Sequence, residues 1–388
     1  MDGAAGSVAP QRLGHAASSV GVGSAAERAI RDQHASPPDE APSANPRTLK
    51  ADPGPPPTSP PTESINPGMP PVGPADATEG SAVGFGDRVA SSVAARSSQL
   101  VLGLDPDPAR LWPRAVELAD RAPGDRSTAS RAARAVAAHC SLAIEATAAH
   151  CVAVKLQVAC FERLGAPGWS ALQEVAERAR DRGLLLIADA KRGDIDVTAK
   201  AYAQAFLGST DTAFGPVDGL AADALTINPL LGTDSLEPFV DAARRGGGGV
   251  FVLVRTSNPG AADLQDLELA AGGTVSDHLA RIVAGLGAPG TGTAGLSDVG
   301  AVVGATAPER MEALRELMPA AVFLLPGVGA QGGQVEQLSA AFAPGPAGGL
   351  VAASRGIVDA YRTSGGDPAV AAAGEAARLR ELAWNLAA

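Results

Sequence analysis

Asp189-Ala190-Lys191-Arg192-Gly193-Asp194 sets two carboxylates and an amine directly behind the apolar run Leu184-Leu185-Leu186-Ile187-Ala188. Such a run reads as a buried strand, and alternate residues of a strand point to one face, so Asp189 and Lys191 leave its carboxyl end together. In α/β proteins that end opens into the crevice where ligands bind. Lys191 is then an ammonium held beside Asp189. On these residues alone, a strand-end ion pair followed by an Asp helix cap remains the plainer alternative.

Lys155 lies in Val152-Ala153-Val154-Lys155-Leu156-Gln157. An ammonium in apolar surroundings is costly unless paired. Asp189 is within reach if the two strands are neighbours, and a chain of alternating charge then runs Lys155, Asp189, Lys191. A lysine that only snorkels to the rim is the alternative. Two further segments, Pro326-Gly327-Val328-Gly329-Ala330-Gln331-Gly332-Gly333 and Ser354-Arg355-Gly356, read as loops that each open a helix after a late strand. Gly327 and Gly329 let backbone amides approach an oxyanion, and Arg355 supplies a bidentate partner, so the pair reads as a phosphate site. The histidines (His15, His34, His139, His150, His278) have no metal partner at a useful spacing, and no Ser-His-Asp order or dinucleotide fingerprint is present.

Short apolar blocks at 100–104, 152–156, 184–188, 224–227, 250–254, 299–303, 322–325 and 350–353 read as the strands that position these groups. Spacers at 131–149, 169–182, 235–244, 275–286, 308–317 and 334–342 are rich in Ala, Leu, Glu and Arg and read as helices. The count, about eight strand–helix units, is that of a closed (β/α)8 TIM barrel, although a doubly wound sheet gives the same local pattern. Polar residues gather at the strand ends: Asp105, Lys155 with Gln157, Asp189 with Lys191, Asn228, Thr256-Ser257-Asn258 and Ser354-Arg355. Polar groups converging on one rim mark a ligand pocket.

Residues 1–84 are dominated by Ala, Pro, Ser and Gly and carry few large apolar side chains, so they read as a disordered low-complexity tail preceding a barrel over 85–388. The tail has neither the acid-poor composition of a transit peptide nor the apolar core of a signal. No apolar run is long enough to span a bilayer. A net charge of −11 speaks against nucleic-acid binding. Cys140, Cys151 and Cys160 fit no zinc spacing and read as free thiols in a reducing, cytoplasmic setting.

Taken together, the motifs resemble orotidine 5'-monophosphate decarboxylases, specifically the bacterial subgroup whose signature reads Asp-Ala-Lys-Arg-Gly-Asp-Ile. The segments that carry the resemblance, in the family's order, are Gly103-Leu104-Asp105-Pro106, Val154-Lys155-Leu156-Gln157, 188–195, Asn228-Pro229-Leu230-Leu231-Gly232, Thr256-Ser257-Asn258-Pro259-Gly260, Val302-Val303-Gly304-Ala305-Thr306 and 325–333. The resemblance implies a cofactor-free, metal-free decarboxylation of orotidine 5'-monophosphate to uridine 5'-monophosphate. It makes Lys155, Asp189, Lys191 and Asp194 the charged network, with Lys191 protonating a vinylic carbanion. It puts Asp105 and Lys155 on the ribose, Ser257 on the pyrimidine, and Gln331 and Arg355 on the phosphate. It also implies a homodimer in which Asp194 and Thr198 reach into the neighbouring subunit's site. One departure stands out: Asp196 follows Asp194-Ile195 where the family often has Gly. Two other readings keep the barrel: a magnesium-dependent sugar-phosphate decarboxylase or aldolase-like synthase, which the cation at Lys155 disfavours, and a scaffold whose tail recruits partners.

Overall fold

The computed structural model describes residues 83–329 and 331–387. The expected tail therefore lies outside the described residues, apart from Val83 and Gly84. Ten strands follow in chain order: β1 Leu100–Leu104, β2 Ala153–Gln157, β3 Leu185–Arg192, β4 Ser209–Thr212, β5 Gly215–Asp218, β6 Ala224–Ile227, β7 Gly249–Arg255, β8 Val299–Val303, β9 Phe323–Leu325 and β10 Gly349–Ala353. Eight of them close a barrel in the order β1-β10-β9-β8-β7-β6-β3-β2, and every pairing in it is parallel. The TIM barrel expected from the apolar blocks is the fold.

Strand alternation divides the core in two. Leu100, Leu102, Leu104, Val154, Leu156, Leu186, Ala188, Val250, Val252 and Val254 face outward and pack beneath the helices. Their neighbours Val101, Ala153, Leu185, Ile187, Ala224, Phe251 and Leu324 fill the barrel interior. Because both faces are buried, the strands read as continuous apolar runs. Helix Phe85–Arg96, which the sequence reading did not include, belongs to the interior cluster through Phe85, Val89 and Val93. Phe85 meets Phe251 edge-on, with ring centroids 5.9 Å apart.

Several expected boundaries move. β3 runs on through Asp189, Lys191 and Arg192 instead of ending at residue 188. The spacer after β1 forms two helices, Pro113–Arg121 and Thr128–Thr147. Helix Asp196–Leu207 and the exposed antiparallel hairpin β4–β5 separate β3 from β6. The spacer at 308–317 opens with a 3-10 turn, Pro308–Arg310, before helix Met311–Leu317. Residues 334–342 form 3-10 turns, Val335–Gln337 and Ser339–Phe342, instead of an α-helix. A long helix, Pro368–Ala387, closes the chain against Thr128–Thr147. No described helix is long and apolar enough to cross a membrane. All three cysteines are free.

Candidate active site

The inward alternation that fills the barrel with Val101, Ala153 and Ile187 brings Gly103, Lys155 and Asp189 up as the next layer at the strands' carboxyl ends. Thr226 of β6, Leu253 of β7, Val302 of β8, Leu324 of β9 and Ala352 of β10 complete that layer, and together they floor a cavity of about 510 Å³. The site's polar groups are thus the top interior residues of strands whose lower interior residues are apolar.

Asp189 is the hub. Its Oδ2 accepts from Lys155 Nζ at 2.6 Å and from Gln157 Nε2 at 3.2 Å. Its Oδ1 accepts from Lys191 Nζ at 2.5 Å and from Thr226 Oγ1 at 2.9 Å. Lys155 and Asp189 are each 6% exposed, whereas the Lys191 side chain is 44% exposed and opens to the cavity. Burial alone would raise the Asp189 carboxyl, but the two ammonium groups overcome it and hold the acid far below the usual carboxylate range. Burial likewise works against the Lys155 ammonium, and the Asp189 and Asp105 charges more than offset it, so its pKa is raised. Asp105 lies 3.6 Å from Lys155 and is the more open end of the chain of charge.

Lys191 adopts φ 48°, in the left-handed region that non-glycine residues seldom occupy. There the β3–β6 ladder shifts register between Ala188 and Arg192. Such outliers concentrate at functional sites, where the surroundings hold them in place.

On the opposite wall, residues 256–265 are tied back by Arg255, whose guanidinium forms two 2.9 Å bonds with Asp266. Ser257, Gln331, Gly327 and Arg355 all line the cavity. Gly327 has φ 99°, and a side chain there would press on Gln331 Oε1 and on Ser257. The loop after β9 and Ser354-Arg355 after β10 are neighbours because those strands pair. Arg355 begins a helix of only four residues, Arg355–Val358, and the loop after β9 opens no α-helix, so the expected pair of helix N-termini is not formed. Gly329 does not line the cavity; its amide donates to Gly333 O at 2.9 Å inside the turn.

Asp194 and Thr198 also lie outside the cavity, so a single chain brings together Lys155, Asp189 and Lys191 but not Asp194. Asp194 Oδ1 accepts from its neighbour's amide, Ile195 N, at 2.8 Å. Asp196 has φ 46°, a backbone conformation that glycine takes at no steric cost. Thr226, which the sequence reading passed over, is the one polar residue of β6, and that isolation was its only signal. Gln157, recognisable in the sequence only as a strand-end residue, donates to the Asp189 hub.

A family model described as the orotidine 5'-phosphate decarboxylase / HUMPS family matches residues 98–372. The orotidine 5'-phosphate decarboxylase of Deinococcus radiodurans is 49% identical over 215 residues, 55% of this chain and 74% of that protein. The protein of the same name from Haloarcula marismortui is 44% identical over 312 residues, 78% of this chain and 98% of its own length. Among solved structures, the Leishmania donovani OMP decarboxylase aligns with a TM-score of 0.56 at 32% identity, covering 78% of this chain and 99% of that one.

Proposed function

The chain belongs to the orotidine 5'-phosphate decarboxylase / HUMPS family, and from that premise we propose that it releases CO2 from orotidine 5'-monophosphate to give uridine 5'-monophosphate, in cytoplasmic pyrimidine biosynthesis. It falls in the bacterial subgroup defined by the signature at residues 189–195, and residues 85–388 act as one catalytic domain.

The observation that carries this reading is the Asp189 carboxylate shared by two ammonium groups, one buried and one facing the cavity. Breaking the C6–CO2 bond leaves the electron pair at C6, on a carbon whose ring carbonyls cannot delocalise it. A preformed positive charge stabilises that pair without reorganisation. In this reading Lys191 gives its proton to C6, forming the product C–H bond and leaving a neutral amine that solvent reprotonates. Lys155, locked on Asp189, keeps that carboxylate ionised throughout. Both Asp189 oxygens are engaged by ammonium groups, which favours this chemistry over one that needs the carboxylate as a metal ligand.

The rest of the cavity offers groups for the nucleotide's other parts. Asp105 and Lys155 meet the ribose hydroxyls, Ser257 the pyrimidine, and Gln331, Gly327 and Arg355 the phosphate. Phosphate contacts remote from C6 supply binding energy that can raise the chemical rate.

The working unit is a homodimer. Ile195 and Val197 are 50% and 82% exposed on either side of Asp196, and Leu230 and Leu231 project from the adjacent loop after β6. An apolar rim of that kind around Asp194 and Thr198 suits burial against a second copy, which would carry both residues into the partner's cavity. Incubating purified chain with orotidine 5'-monophosphate in EDTA tests the proposal: one CO2 per uridine 5'-monophosphate supports it, and no release, or release only after divalent metal is restored, overturns it.

A further inference from the structure

We propose that Thr226 is a positioning residue for this reaction, setting the Lys191 backbone and the Asp189 carboxylate with a single hydroxyl; the inference rests on the reaction assigned above.

Its basis is the break in the β3–β6 ladder. Ala188 pairs with Leu225 and Arg192 with Ile227, so Asp189, Ala190 and Lys191 stand opposite Thr226 alone. A bulge of that kind leaves backbone groups without their ladder partners. The Lys191 amide donates instead to Thr226 Oγ1 at 2.9 Å, and the same hydroxyl donates to Asp189 Oδ1 at 2.9 Å. An ionised carboxylate only accepts, so the hydroxyl proton must point to Asp189 and its lone pair to the amide. Lys191 Nζ returns to that same Oδ1 at 2.5 Å.

A closed ring results, running from the Lys191 amide through the Thr226 hydroxyl to Asp189 and back to the Lys191 ammonium. Thr226 is 1% exposed, so water cannot readily replace either bond. Without the hydroxyl, the Lys191 amide has no partner and only the Nζ–Asp189 contact is left to hold Lys191 at its positive φ, so the proton donor loses its fixed backbone. Substrate binding draws mainly on the far wall of the cavity and should feel little of this.

The test compares wild-type chain with Thr226→Val, which keeps the shape, Thr226→Ala, which adds no new contact, and Thr226→Ser, which restores the hydroxyl. For Thr226→Val and Thr226→Ala, kcat should fall about 10- to 100-fold, with KM and the Kd for uridine 5'-monophosphate within about threefold of wild type. Thr226→Ser should return to within about threefold of wild-type kcat. Wild-type-like kcat in Thr226→Val, or a loss in Thr226→Ser equal to that in Thr226→Val, would overturn the proposal. A crystal structure of Thr226→Val asks the same question without turnover: Lys191 should leave the left-handed region, and an unchanged Lys191 backbone and Nζ–Asp189 contact would refute the role. Inactive wild-type chain would instead remove the assigned reaction while leaving that structural comparison decisive for Thr226.

Discussion

Lys191 turns back along its own strand to Asp189, its ammonium 2.5 Å from Oδ1, while its backbone sits in the left-handed region at φ 48°. Such a conformation costs a non-glycine residue about 1–2 kcal/mol. The cost is met locally: Thr226 holds the Lys191 amide, and Asp189 attracts the side chain. The amine is thus fixed where the cavity opens, instead of extending into solvent as an exposed lysine would.

Asp189 is therefore the residue whose charge the site can least lose. Asp189→Asn would leave the buried Lys155 ammonium with only Asp105, at 3.6 Å. Breaking a buried ion pair from one side typically costs about 3–5 kcal/mol, so urea unfolding near neutral pH should show a loss of that order together with loss of turnover. A stability change within about 0.5 kcal/mol of wild type, the range of an ordinary surface substitution, would mean the charges are not coupled as described. Asp189's depressed pKa adds stability above the unfolded carboxyl value, lost only as pH falls through the still lower folded one. Lys155's raised pKa adds stability below the unfolded lysine value, lost only as pH climbs through the folded one. Neither effect varies across the neutral range.

A different group contributes to stability in mild acid. His139 is buried in helix Thr128–Thr147 and its Nδ1 accepts from the Trp112 amide at 3.1 Å. Burial pushes its pKa from 6.5 down to about 4, against a smaller upward pull from Asp359. The unfolded chain thus takes up this proton well before the folded one, and stability falls as pH drops through the interval. Between pH 7 and pH 5 the loss should be about 2 kcal/mol. His139→Gln, which keeps an acceptor for Trp112, should lack that increment in paired urea titrations; parallel losses in both proteins would exclude His139 as the source.

Much of this arrangement is legible in the sequence, because it follows from alternation. Once the blocks at 152–156 and 184–188 are taken as neighbouring strands, Lys155 and Asp189 must share the interior face; Lys191 joins them in spite of the bulge, through its left-handed backbone. What the sequence hides is non-local. Threonine is an ordinary strand residue, and Thr226 gains its role only because β3 bulges opposite it. Residues 334–342 have helix-forming composition, yet they form two 3-10 turns, with the Ala341 carbonyl held by buried Arg315. Gly329 looks like its neighbour Gly327 in the chain, but its amide is spent on closing the turn. Asp194 belongs to the charged network only through the resemblance, which sends it into a neighbouring subunit's site; within one chain it lies outside the cavity, just before helix Asp196–Leu207.

The shared-site dimer can be tested by complementation. Mixing subunits carrying Asp194→Ala with subunits carrying Lys191→Ala yields hybrids in which one of the two cavities has both residues intact. With random reassortment, activity should recover to about one quarter of the wild-type level. Activity no greater than the sum of the two variants alone would place Asp194 outside its neighbour's site.

The anchored Lys191 ammonium is the centre of the account, and Lys191→Ala addresses it most directly. In EDTA, release of CO2 from orotidine 5'-monophosphate should fall by at least about 10²- to 10⁴-fold, the usual contribution of a placed proton donor, while uridine 5'-monophosphate still binds through the distant phosphate loops. Turnover by Lys191→Ala at the wild-type rate would contradict it.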